Sequence, residues 1–138
     1  MKVTLTLYAA VALGSALGGL ARALCSYLLL QALGPGFPWG TLLVNVVGSA
    51  LIGLYATLAA PDGRLFPSPA QRQFVMAGFC GGFTTFSVFS LETLLLIEAG
   101  RMAVAALSVA CSVLLWLVGV WLGHIAAVRL NRLKGATP

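Results

Sequence analysis

Four stretches of this chain run the length of a membrane crossing with almost no charge. Residues 3–21 lie between Lys2 and Arg22 without one, and residues 23–61 carry none. The second of these stretches is broken only by Gly34-Pro35-Gly36-Phe37-Pro38. Residues 73–91 are uncharged, and residues 102–128 are free of charge apart from one histidine, His124. A helix needs about 20 apolar residues to cross the hydrocarbon core. Every backbone amide in lipid must be bonded internally, so runs of this length read as helices. The alternating pattern of a membrane-barrel strand is absent. The composition agrees: 8% of the residues are charged and 60% are apolar, where a soluble domain carries about 25% charged residues.

The reading is an all-α integral membrane protein, a single domain over residues 1–138, with helices at about 4–33, 39–60, 69–97 and 101–128. Ser68 is placed to cap the third helix with Pro69 at its first position. Gly100, after Glu98-Ala99, suits the left-handed residue that follows a helix end. A short basic tail is expected to close the chain. The apolar stretch after Lys2 is longer than the h-region of a signal peptide, about 7–15 residues, and no soluble domain follows it. The net charge of +5 is scattered at segment ends with no basic stripe, so no nucleic-acid partner is expected. Cys25, Cys80 and Cys111 lack metal-ligand spacing and read as buried reduced thiols.

Gly14 and Gly18, Gly78 and Gly82, and Gly119 and Gly123 are each four apart, which clears one face of a membrane helix for close packing and suggests oligomerisation. The stretch Gly81-Gly82-Phe83-Thr84-Thr85-Phe86-Ser87-Val88-Phe89-Ser90 is a poor helix in the middle of the third segment. Either it stays helical with a small-residue packing face, or it breaks. A break at that depth survives only where it is buried or lines a cavity, and there it tends to coordinate ions. Phe86 and Phe89 share a face with Thr93. They are either lipid-facing bulk or a pair of rings whose electropositive edges replace part of a small anion's water shell.

Helix 2 supplies a stripe of Thr41, Asn45, Gly48 and Ser49. The Asn45 amide either bridges two helices or aims a neutral donor into a pore. Ser108 and Ser112 on helix 4 are four apart and could add hydroxyls. Arg22, the one cation well inside an apolar region, either snorkels or sits in a wet vestibule that attracts anions. Glu92 is the only acid inside a span, and His124 lies near a helix end. With no nucleophile–base pair, carboxylate pair or phosphate loop, the chain is not expected to be an enzyme.

The segments Gly18-Gly19-Leu20-Ala21-Arg22, Pro38-Trp39-Gly40-Thr41-Leu42-Leu43-Val44-Asn45 and Gly78-Phe79-Cys80-Gly81-Gly82-Phe83-Thr84-Thr85-Phe86-Ser87-Val88-Phe89-Ser90-Leu91-Glu92-Thr93 resemble the fluoride channels called Fluc or CrcB. The resemblance spans all four helices, with helix 4 matching mainly in spacing. It implies a dual-topology antiparallel dimer of four-helix subunits in the bacterial cell membrane, with helix 3 interrupted near its middle and two narrow pores. It also implies that Phe86, Phe89 and Asn45 line the fluoride path and that Arg22 lies towards a vestibule. A structural Na+, not transported, would be held by the backbone carbonyls of Gly81 and Thr84 from both subunits. Thr41, Ser108 and Ser112 complete the expected pathway. The family often has tyrosine where this chain has Ser108, which leaves helix 4's contribution open.

On this reading transport is passive: HF enters the cell, dissociates at cytoplasmic pH, and trapped fluoride leaves down its gradient. A proton-coupled multidrug exporter of the small four-helix type would need an acid central in helix 1, where residues 3–21 have none. A non-transporting assembly subunit would leave Asn45 and the Thr/Phe segment unexplained. The charges bear on orientation. Lys2, Arg64, Arg72, Arg129, Arg132 and Lys134 fall on one side of four spans, and Arg101 with Arg22 on the other. That split favours termini in the cytoplasm, so the partner is either a second copy or a homologous chain of opposite bias.

Overall fold

A computed structural model describes residues 2–134. The chain there is helical: α1 Lys2–Leu33, α2 Trp39–Leu58, α3 Pro69–Gln73, a π-helical segment Phe74–Cys80, α4 Gly81–Phe83, α5 Ser87–Glu98 and α6 Met102–Lys134. The third crossing, Pro69–Glu98, is thus built from four consecutive pieces, and the described residues provide four helices long and apolar enough to span a membrane. This is a multi-pass helical membrane protein.

Local chemistry sets the boundaries. Gly34 takes φ +75 and donates its amide to the Leu30 carbonyl at 2.9 Å, closing α1 before Pro35. Ser68 and Gln71 form a reciprocal capping box at the start of α3: Gln71 N donates to Ser68 Oγ at 3.3 Å and Ser68 N to Gln71 Oε1 at 2.9 Å. Gly100, at φ +73, ends α5 in a Schellman turn. Its amide reaches the Ile97 carbonyl, and the Arg101 amide reaches Leu96.

Two boundaries differ from those expected. Helix α2 stops at Leu58 because the Leu58 carbonyl accepts from Leu65 N, turning the loop back on the helix. Helix α6 runs to Lys134, well past residue 128, in place of a basic tail. Its last turns carry a partner: Asn131 Oδ1 accepts from Arg64 N at 3.1 Å, and the Leu130 carbonyl from Arg64 Nη1 at 3.3 Å. The 2–3 loop and the end of α6 therefore meet at one end of the bundle. The π-helical segment has no signal in the sequence.

Packing follows the glycines. A Cβ on Gly123 would meet the Ala50 carbonyl and one on Gly53 the Val120 carbonyl, so α2 and α6 touch backbone to backbone. On the opposite side, Gly14 and Gly18 of α1 lie against the carbonyls of Phe74 and Phe79, and Gly82 lies against Ser15. The interior that results sets polar side chains among apolar ones such as Val44, Phe83 and Ala105. Thr41, Asn45, Ser108 and Ser112 are buried, while Leu13, Leu24, Leu114 and Leu117 face outward. Apolar side chains can face lipid without cost, whereas polar ones are kept inside.

Candidate functional site

The site lies midway along the third crossing. Helical backbone ends at Phe83, Thr84 is extended at φ −84, ψ 161, and helix resumes at Ser87. Two glycines and two β-branched threonines in sequence hold the helix weakly here. Where the freed backbone groups go defines the site.

Asn45 takes both groups of Thr85. Its Nδ2 donates to the Thr85 carbonyl at 2.8 Å, and the Thr85 amide donates to its Oδ1 at 2.7 Å. In a continuous helix the Thr85 amide would bond the Gly81 carbonyl. The next diversion is similar: the Val88 amide, which would bond the Thr84 carbonyl, donates to Thr85 Oγ1 at 3.2 Å. Arg22 Nε donates to the Gly82 carbonyl at 3.2 Å. Side chains therefore occupy the carbonyls of Gly82 and Thr85, while those of Gly81 and Thr84 lose their helical donors to side chains. Thr84 itself is held by its Oγ1 on the Cys80 carbonyl at 2.8 Å.

Two residues with alternative readings take definite partners here. Asn45 is an interhelical bridge, and its carboxamide also borders a cavity of about 290 Å³ together with Gly81, Thr84, Thr85, Phe86 and Trp116. Arg22 is half-buried with its guanidinium tied to the third crossing.

The two phenylalanines are in contact but differ in surroundings. Their ring centroids are 5.6 Å apart at 48°. Phe86 is 71% exposed on this chain and Phe89 8%. Phe89 also meets Trp116 edge-on, 5.0 Å between centroids at 73°. Thr93 spends its hydroxyl on the Phe89 carbonyl of its own helix. Ser108 and Ser112 are buried on α6. Buried Thr41 interacts with the Glu92 carboxyl, whose Oε2 has no hydrogen-bond partner among the described residues. Glu92 borders a second cavity, of about 450 Å³, with Tyr27, Trp39 and Arg101.

The structure thus gathers Asn45, Phe86, Gly81 and Thr84 around one cavity, with Phe89 adjoining it through Phe86 and Trp116. Thr41 lies beside Glu92, and Arg22 braces the break from α1. Two contributors were missed in the sequence. Thr85 binds with its backbone, which side-chain chemistry does not advertise. Trp116 follows Ser108 and Ser112 at the same spacing of four, a signal that was available.

Fold and site together define a polytopic helical membrane protein with buried polar side chains and a span whose backbone bonds are diverted to side chains. The sequence model of the family described as CrcB-like protein, Camphor Resistance (CrcB), matches residues 9–124. The chain is 58% identical over 129 residues to "Fluoride-specific ion channel FluC 1" of Rhodopseudomonas palustris, covering 94% of this chain and 92% of that protein. It is 58% identical over 130 residues to the protein of the same name from Bradyrhizobium diazoefficiens, covering 93% and 89%. It is 55% identical over 132 residues to "Fluoride-specific ion channel FluC" of Opitutus terrae, covering 96% and 100%. The chain belongs to the CrcB family. These relatives are named as channels.

Proposed function

We propose that the protein is a fluoride-specific channel of the bacterial cell membrane that lets fluoride leave the cytoplasm down its gradient and so lowers its toxicity. The observation that carries the reading is the broken third crossing, braced by Asn45 and Arg22 and adjoined by the Phe86 and Phe89 rings. A small, strongly hydrated anion surrenders its water only where donors and ring edges stand in for it. Ser108, Ser112 and Thr41 bring further buried hydroxyls to the interior. Arg22, tied to the Gly82 carbonyl, supplies positive potential near the break.

The Gly81 and Thr84 carbonyls suit a hard cation, since both have lost their helical donors and hard cations take oxygen ligands. Sodium held there would neutralise the oxygens and fix the break. Gly81 is exposed on this chain, on a face open to a second subunit. The working unit is an antiparallel dimer, of two copies or of this chain with a homologue, and the outward leucines meet lipid or that partner.

Purified protein in liposomes loaded with potassium fluoride tests the function. Opening the potassium path with valinomycin should release fluoride to an external electrode, with chloride-loaded vesicles silent. Release of both halides at similar rates, or of neither, would end the reading.

A further inference from the structure

The most telling unassigned atom in the molecule is the indole nitrogen of Trp116. It is buried, and among the described residues it has no hydrogen-bond partner. An indole N–H only donates, so its partner must be an acceptor and cannot be a cation. A donor left bare in an interior is strongly disfavoured. Trp116 lines the same cavity as Asn45, Thr85 and Phe86, and its ring packs edge-on with Phe89. It also continues the α6 stripe one turn beyond buried Ser112.

We propose that the Trp116 indole N–H is a specificity-determining donor in the anion pathway, binding a partly dehydrated small anion as it passes the Phe86–Phe89 pair. The inference rests on the fluoride-channel reading and deepens it. A point donor favours the acceptor with the highest charge density, so the indole adds selectivity for fluoride over larger halides. Phe89, packed against the indole at 73°, holds the ring's orientation before the ion arrives.

The test replaces the N–H and keeps the shape. Trp116→Phe retains an aromatic ring, and β-(3-benzothienyl)alanine at position 116 retains the bicycle with sulfur in place of N–H. Fluoride efflux from liposomes is measured for both beside the wild type, with size-exclusion profiles to establish folding. The expected result is a fall in fluoride flux of about fivefold to tenfold, the loss of one hydrogen bond, in a protein with an unchanged profile. In the wild type, ¹H–¹⁵N spectra should show one of the three indole resonances, those of Trp39, Trp116 and Trp121, moving with fluoride and not with chloride. Trp39→Phe and Trp121→Phe assign that resonance by elimination. Wild-type flux from the benzothienyl variant, or a Trp116 resonance indifferent to fluoride, overturns the proposal and leaves the channel reading standing. A wild type that passes no fluoride overturns both.

Discussion

Replacing Asn45 with alanine removes the one side chain that satisfies both backbone groups of Thr85. A buried donor or acceptor left unpaired costs about 1–3 kcal/mol, so two set a ceiling of about 6 kcal/mol. Interhelical hydrogen bonds measured inside membranes average about 0.6 kcal/mol, so two set a floor of about 1 kcal/mol. The chain has a way to recover part of the loss. Released from Asn45, the Thr85 amide can return to the Gly81 carbonyl and close the helix. That repair would remove a cation ligand and draw the break shut, so function should fall further than stability. Asn45→Ala is expected to lower the thermal midpoint of the detergent-solubilised protein and to cut fluoride efflux by more than about tenfold, equivalent to about 1.4 kcal/mol. Asn45→Asp separates the two groups. It keeps the acceptor for the Thr85 amide but loses the donor and places a negative charge beside an anion path, so flux should vanish while part of the stability remains. An Asn45→Ala protein with wild-type midpoint and wild-type flux would refute the account of the break.

Three further outcomes are expected. Phe89→Ile keeps the bulk of a buried side chain without its electropositive ring edge, so the protein should fold and its fluoride flux should drop by more than about tenfold; unchanged flux would return Phe89 to a packing role. Replacing all sodium with N-methylglucamine during purification and assay should destabilise the dimer and abolish flux, because a large organic cation cannot seat between the Gly81 and Thr84 carbonyls; indifference in both readouts would remove the cation site. An accessibility tag at the C-terminus of the chain expressed alone should react on both faces of the membrane with fluoride conducted. A tag confined to one face would instead point to a paired homologous chain, in keeping with the six-to-two division of cations.

The four crossings were legible because lipid leaves the chain few options: long uncharged runs must be helices, and Gly34, Ser68 and Gly100 punctuate them by chemistry that acts within a few residues. The contact faces were legible at Gly14, Gly18 and Gly123, since a missing side chain at intervals of four has one common use. The end of α6 was not, because its extension depends on Arg64, a residue distant in sequence whose contacts with Leu130 and Asn131 exist only once the bundle forms. For the same reason Asn45 and Arg22 each carried two readings. Sequence declares a buried amide and a buried guanidinium, but their partners are backbone groups of residues 82 and 85, and every residue has those. The π-helical turn before the site rests on backbone register, which side-chain pattern does not encode.

The central claim is passive passage of fluoride, and a reversal potential tests it most directly. With the protein in a planar bilayer under a tenfold fluoride gradient and symmetrical sodium and chloride, the current should reverse about 59 mV from zero, the value for a singly charged ion. The sign should be that of an anion, and changing chloride on one side should not move it. A reversal that tracks chloride or sodium, or that shifts with a proton gradient at constant fluoride, would contradict a fluoride-selective channel.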